Sequence, residues 1–422
     1  MRILMTSYEF PPIGGGGAAV VAGLSRELAA SGHEIDLVTM SFQDHPRQEV
    51  VDGVRLYRVP CIRKAKHSCT TPEAFSYLAG AMPTIHRLLD KNHYDVAHAH
   101  FIMPDGLLAW QAKRYSGLPY VITAHGTDVP GYNPHRLRTT HRMVRPVWKA
   151  IVQGASRVIC PSEILEQLVV VQRPGAFKTV VIPNGLRVEP YTPRPLSARV
   201  LMVTRMLERK GVQYVLDALA DAPIPAEVNI IGDGPYLPEL RRRATELRSP
   251  AKFWGWLDNR SPELRGIYDS SGIFVLPSEA ENFPIVLLEA MAAGLAIVTT
   301  AGTGCAEVVG DAGLLVPVRD SRAIARALKR LVDDADLRQT LGTAARKRIE
   351  DNFTWRAVAR RYVEEYQRHA RPGSEPGLRS ALVHGGSNGN RHSVEGELAA
   401  VPGELPVSVA SSSRAQGPVR AS

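Results

Sequence analysis

Two glutamates, Glu281 and Glu289, stand on either side of a helix start in Leu276-Pro277-Ser278-Glu279-Ala280-Glu281-Asn282-Phe283-Pro284-Ile285-Val286-Leu287-Leu288-Glu289-Ala290-Met291. An apolar strand over 272–276 leads into a loop with two carboxylates, and an apolar helix carries the third. Pro284 suits the first helical position, where its missing N–H would have had no partner. The free N–H groups and positive dipole end at that point can hold an anion. Acids bracketing such a site call for a phosphate cradle, a facing wall and a cleft from the rest of the chain.

Candidates for each are present. Val203-Thr204-Arg205-Met206-Leu207-Glu208-Arg209-Lys210-Gly211 ends one apolar run and opens a helix, so Arg205 and Lys210 make a receptor for a diphosphate. A solvated basic turn is the plainer alternative, but Arg205 lies too close to the strand end to favour it. Gly232-Asp233-Gly234-Pro235 offers a tight turn toward the same rim. Gly14-Gly15-Gly16-Gly17 lies between the first strand and the first helix, where glycine lets backbone approach a phosphate or sugar closely. The run also fits G-x-G-x-x-A loosely, through Gly14, Gly16 and Ala19. A dinucleotide site would need an acid at the end of the second strand, and Asp36 falls near its start. A purely structural loop is the remaining option. Thr123-Ala124-His125-Gly126-Thr127-Asp128 sits at the carboxyl end of a strand, where open α/β sheets gather functional residues. His125 there can donate or accept a proton or bond a sugar hydroxyl, against the commoner case of a structural histidine.

Other motifs carry less. His98-Ala99-His100 is spaced like metal ligands along a strand, with no carboxylate or thiol to complete a set. Asp334-Ala335-Asp336 spells D-x-D but lies between two late helices, far from strand ends, and no metal is expected. The stretch 135–149 carries five cations and no acid among apolar residues. Such a helix can lie on an anionic membrane or face an anionic acceptor, and a solvated face is equally compatible.

The elements that must position these residues follow from periodicity. Strands are expected over 2–7, 34–40, 54–59 (an edge), 95–98, 120–124, 157–160 and 179–182, with helices over 18–30, 71–90, 105–115, 137–153 and 162–171. Pro183 to Pro195 holds four prolines and reads as a linker. The pattern restarts with strands over 199–204, 227–231, 252–254, 272–276 and 296–299. Helices are expected over 211–220, 237–247, 262–270, 322–332, 337–351 and 355–369, besides the one after Pro284. Alternation of this kind predicts α/β architecture, with two doubly wound parallel-sheet domains, 1–186 and 187–370, facing across a cleft. The tail 371–422 is rich in Gly, Ser and Pro, lacks apolar periodicity and is expected to be disordered.

Composition sets outer bounds. A chain of 422 residues with 44% hydrophobic and 22% charged residues has material for two cores. No window approaches the ~18 apolar residues of a membrane span, and the N-terminus lacks a signal-peptide pattern. Four scattered cysteines without a CxxC pair suit idle thiols in a reducing compartment, so cytoplasmic residence is expected. The +9 net charge allows nucleic acid, anionic lipid or a phosphorylated substrate. No nucleic-acid reading module or interleaved aromatics accompany it.

Together the glycine-rich loop, His125-Gly126, Arg205 with Lys210, and E-x7-E at Glu281 and Glu289 resemble glycosyltransferase family 4, the retaining transferases of the GT-B fold, over about residues 1–370. The resemblance implies that Arg205 and Lys210 neutralise a nucleotide diphosphate, Glu289 accepts from ribose hydroxyls and Glu281 contacts the donor sugar. It places the N–H groups of Asn282 and Phe283 opposite those of Gly15, Gly16 and Gly17, with His125 touching the sugar from the facing domain. It implies a last helix crossing back onto the first domain and a metal-independent transfer of a hexose-type sugar. The donor would be a UDP or GDP type sugar nucleotide and the acceptor a glycan or a lipid-linked hydroxyl, in polysaccharide or glycolipid synthesis. The leaving phosphate would take the acceptor proton. Peripheral contact with an anionic membrane through 135–149 fits such an acceptor. One departure stands out: many relatives have Gly-Phe-Gly where this chain has Asn282-Phe283-Pro284. A GT-B nucleotide-sugar epimerase and an NAD-dependent oxidoreductase remain as alternative readings.

Overall fold

The short apolar runs form parallel strands buried on both faces, as βαβ connections require. A computed structural model describes residues 1–66, 68–132, 138–172, 178–192, 197–258 and 261–371, the side chains of 138–141 excepted. The first half contains β1 (Arg2–Thr6), α1 (Gly16–Ala30), β2 (Glu34–Met40), β3 (Gln48–Val51), β4 (Val54–Val59), α2 (Thr71–Lys91) and β5 (Val96–His100). It continues with α3 (Asp105–Ser116), β6 (Tyr120–Thr123), α4 (Arg138–Gly154), β7 (Arg157–Cys160), α5 (Glu163–Val171) and β8 (Thr179–Val181). The second half begins with β9 (Val200–Val203), a 3-10 turn (Glu208–Lys210), α6 (Val212–Asp221), β10 (Val228–Ile231), α7 (Leu237–Glu246), β11 (Ala251–Gly255) and α8 (Pro262–Ser270). It ends with β12 (Ile273–Leu276), α9 (Ile285–Ala292), β13 (Ala296–Thr300), α10 (Gly304–Val309), β14 (Gly313–Val316), α11 (Ser321–Asp333), α12 (Ala335–Asn352) and α13 (Trp355–His369).

Two doubly wound sheets result, as the alternation predicts. The first has the order β3-β4-β2-β1-β5-β6-β7-β8 and the second β11-β10-β9-β12-β13-β14. In both, the strand order reverses beside the first strand of the half, and the crevice at that switch point is where α/β sheets bind ligands. β1 lies between β2 and β5, and β9 between β10 and β12. The glycine run after β1, and Arg205 and the Glu281 loop after β9 and β12, therefore leave the sheets at the two switch points, with His125 following β6 one strand further along.

The connections join the halves firmly. Leu186 N–H donates to Phe353 O at 2.7 Å, and Leu186 and Thr354 form a parallel bridge, so the chain's two passages between sheets run side by side. Thr354 caps α13 through its hydroxyl. α13 then lies on α1 and the first sheet, with Trp355, Val358, Tyr362 and Tyr366 buried among Ile3, Val21, Leu24 and Val121. Gly23 makes room for this: a Cβ there would stand 2.2 Å from the Trp355 ring. Arg371 still bonds Asp95 O at 3.0 Å, while 372–422, expected as a disordered tail, lies outside the described residues.

Several local expectations need correction. The strand 54–59 is not the edge: β3 pairs antiparallel outside β4 through Asp52-Gly53, whose φ values of 50° and 80° are those of a two-residue hairpin turn. The Asp-Gly pair between valines was the available signal. α10 and β14 were absent from the sequence-based expectation because each is very short. Pro284 is the cap residue with extended backbone (ψ 120°), and α9 starts one residue later. Asp334 of the D-x-D string caps α12, its carboxylate accepting from Leu337 N–H at 2.8 Å.

Substituting Gly23→Ala should drive α13 off α1 and lower stability by about 1–3 kcal/mol. Gly266→Ala, where nothing lies within 4 Å of the added Cβ, should be neutral or slightly stabilising. Urea unfolding of both variants measures the contrast.

Candidate active site

Lys210 is carried to the exit of β12 by one backbone feature. Gly211 is left-handed, with φ 77°, and its Cβ position lies 2.2 Å from the Pro277 carbonyl, so the two loops touch as only glycine permits. Arg209 ties them further: its carbonyl accepts from Glu279 N–H at 2.8 Å and its guanidinium donates to Ala280 O at 3.3 Å. Beyond this contact the Lys210 ammonium pairs with the Glu281 carboxylate, the two side chains only 11% and 9% exposed. Glu279, two residues earlier, faces elsewhere. The Arg319 guanidinium and Tyr214 OH hold it, and Arg319 keeps its carboxyl below the usual range. Arg205, two residues past β9, is exposed at the same rim. Gly232, whose Cβ position is 1.8 Å from Thr204 O, lets the β10 exit pack beneath it.

The loop between β12 and α9 is fixed from the β13 side. Thr299 and Thr300 hydroxyls donate to Leu276 O and Ser278 O, each at 2.7 Å, and Gly304 N–H donates to Glu281 O at 2.9 Å. Asn282 looks the other way: its Oδ1 accepts from Ser162 Oγ of the first half at 2.5 Å. Phe283 turns its ring into the core, edge-on to Phe353 at 5.5 Å. Glu289, on the second turn of α9, accepts from Tyr268 OH at 3.3 Å and lines a small pocket with Tyr191, Leu264 and Arg265. Burial there pushes its carboxyl up to about 7.

The facing wall comes from the first half. Gly15 caps α1, and Gly16 and Gly17 are its first residues. A Cβ on Gly17 would meet the Phe101 ring at 2.7 Å, and one on Gly16 would stand 4.0 Å from Ile285 of α9. The glycine run is thus one place where the two halves come close. The Glu9 carboxylate lies close to the Gly15 N–H, 4.0 Å from Arg63 and in the field of Arg205, and is pushed up by burial. The Tyr132 phenol lies close to the Asn282 N–H and in the field of Glu281. Glu9 and Tyr132 were not among the sequence candidates. Their only signal was proximity to the glycine run and to the His125 loop.

Asp128 builds the His125 loop. Its Oδ1 accepts from the N–H groups of His125 (3.0 Å) and Gly126 (2.9 Å), and its Oδ2 from Ile102 N–H at 2.7 Å. The Asp128 carbonyl accepts from Trp148 Nε1 at 2.9 Å. His125 lies 4.3 Å from the Phe101 ring, and burial pushes its pKa down to about 3, so it is neutral at physiological pH.

The structure thus brings Glu281, Lys210, Asn282 and the rim residue Arg205 to one place, with Gly15–Gly17 and His125 on the opposing wall. Phe283 contributes packing. Asp36 is held by Arg2 at 2.9 Å, Arg55 at 2.5 Å and Tyr94 OH at 2.7 Å, away from the carboxyl end of β2, which removes the dinucleotide reading. Among the described residues no three His, Cys, Asp or Glu side chains converge as a metal site. Residues 133–137 of the basic stretch lie outside the described residues. In α4 the side chains of Arg142, Met143, Arg145 and Val147 are exposed and Trp148 is buried.

Comparison with known proteins identifies the family and the fold. A family model for "Glycosyltransferase Family 4" matches residues 14–189, and one for "Glycosyl transferases group 1" matches 197–334. The chain is 30% identical to glycogen synthase of Mycobacterium tuberculosis, over 91% of this chain and 98% of that one. Among solved structures it resembles sucrose-phosphate synthase from Thermosynechococcus elongatus, with TM-score 0.74 and 25% identity over 87% of this chain and 98% of that chain. It shares its fold with Anabaena HepE in complex with UDP-glucose, with TM-score 0.69 and 19% identity over 87% and 100%.

Glu289 makes stability depend on pH. Its folded carboxyl titrates near 7 against an ordinary 4.5, so the folded state holds the proton longer. Stability falls as pH rises from 4.5 through 7, by roughly 2–3 kcal/mol. Melts of wild type and Glu289→Gln across that window should diverge, with the Gln variant gaining relative stability toward high pH.

Proposed function

We propose that the chain, which belongs to glycosyltransferase family 4 and moves sugar from a nucleotide sugar, is a retaining transferase acting on a hexose-type UDP or GDP sugar. The observation that carries this is the nearly buried Lys210–Glu281 pair at the start of α9, with Arg205 at the rim. Breaking the anomeric C–O bond leaves negative charge on a diphosphate. Lys210 and Arg205 meet it, and a preorganised cation costs no reorganisation as the charge develops. Glu281 fixes the ammonium and offers its second oxygen to donor-sugar hydroxyls. Glu289, in its pocket with Tyr268 and Tyr191, takes the ribose diol. The N–H groups of Gly15 and Asn282, beside Glu9 and Tyr132, bond oxygens of the donor, while those of Gly16, Gly17 and Phe283 complete the shell. His125 contacts the sugar from the facing wall. No separate base is required when the leaving phosphate accepts the acceptor's proton.

The acceptor is a hydroxyl of a glycan or lipid-linked intermediate, and no nucleic-acid partner is expected. α4 favours the second of these. Met143 is 81% and Val147 41% exposed beside Arg142 and Arg145, a combination suited to the surface of an anionic membrane. No helix among the described residues is long and apolar enough to cross one. The same reading places the chain in the cytoplasm, attached peripherally to the inner face of the membrane.

A melting screen against UDP-, GDP- and ADP-sugars identifies the donor, since a ligand at a hundredfold its Kd stabilises by about 2.7 kcal/mol. With that donor, Lys210→Ala and Glu281→Gln should each lower kcat by about 100- to 1,000-fold with cooperative unfolding retained. Near-wild-type turnover in both variants refutes the assignment. Interconversion of sugar nucleotides without acceptor, followed by NMR, would instead indicate an epimerase.

A further inference from the structure

The pair His98 and His100, discounted as metal ligands, stands behind His125, with His100 hydrogen-bonded to it. The two share one face of β5 and are fully buried, with rings 4.1 Å apart. His98 is satisfied at both ends: Nδ1 bonds Tyr366 OH of α13 at 2.7 Å and Nε2 bonds Thr123 Oγ1 at 2.8 Å. His100 is satisfied at one. Its Nδ1 lies 3.2 Å from His125 Nε2, and its own Nε2 is buried without a protein partner.

That asymmetry selects a tautomer. A neutral imidazole has one N–H and one acceptor nitrogen. With the proton on His100 Nε2, a buried N–H would be orphaned. With the proton on Nδ1, the orphan is only a lone pair, the less costly vacancy. His100 therefore donates from Nδ1 to His125 Nε2. His125 must accept there and carry its own proton on Nδ1, which no described protein group bonds. We infer that His100 is a positioning residue that locks His125 as the Nδ1–H tautomer, making it a hydrogen-bond donor to an oxygen of the sugar rather than a base toward the acceptor. The donor role rests on the function proposed above. The tautomer does not. Sequence reading left donation, acceptance and sugar contact open for His125, and this geometry chooses among them.

The test separates the two claims. Long-range 1H–15N spectra of the full chain with 15N-labelled histidine, assigned by His100→Asn, His100→Leu and His125→Ala, report each ring nitrogen as protonated or bare. Nδ1 of His125 should be protonated and its Nε2 bare without any ligand, unchanged in His100→Asn, whose amide can donate from a similar place, and mixed in His100→Leu. A protonated His125 Nε2 in the wild-type protein overturns the tautomer assignment. Transfer kinetics then use UDP-glucose as probe, or the sugar nucleotide that gives the largest melting shift. His100→Leu should lower kcat/KM about tenfold and His100→Asn much less, with the Leu effect vanishing in a His125→Ala background. A loss that persists in that background means His100 acts through the fold alone, and refutes the positioning role.

Discussion

An ammonium and a carboxylate held together with little water constrain the rest of this structure. Removing Lys210 and Glu281 from solvent costs several kcal/mol per ion before their attraction is counted, so the pair is poor evidence for stability. What it needs is geometry, and the surrounding chain provides it. Gly211 allows the β9 and β12 exits to touch, Arg209 fastens them, and Thr299, Thr300 and Gly304 hold the loop from the other side. Each of these residues acts on backbone, which is why the loop can present an acid of fixed direction at a helix start.

The opposing wall depends on a second constraint, the joining of the two halves. Paired passages at Leu186 and Thr354, the docking of α13 on α1, and the Ser162–Asn282 bond set the spacing. The α10 carboxylate Glu307 adds to this by accepting from Glu163 N–H at 2.7 Å and Ile164 N–H at 3.0 Å at the start of α5. A carboxylate on a helix N-terminus is favourable through both the free N–H groups and the dipole. Polar bonds of this kind let the halves sit close while keeping the cleft between them open to a charged ligand.

Within the cleft, oxygens of Glu9 and Tyr132 lie close to the backbone N–H groups of Gly15 and Asn282, two donors that suit an anion. The altered turn Asn282-Phe283-Pro284 belongs to the same arrangement: Asn282 spends its side chain on Ser162, Phe283 packs on Phe353, and Pro284 caps α9 without an N–H.

The sequence alone determined the doubly wound halves, the strand-end placement of His125, Arg205 and the Glu281 loop, and the family. Those signals are local: apolar period, turn residues and helix starts act over a few positions. The hairpin at β3 and the short α10 and β14 escaped because a few residues carry too little periodicity. Only tertiary structure decided that Glu281 rather than Glu279 meets Lys210, 71 residues away, and that His100 rather than a metal meets His125. It also brought Glu9 and Tyr132 to the two N–H groups. Such partners are set by which strand ends converge at the switch points, and convergence of distant segments leaves no pattern in the residues that take part.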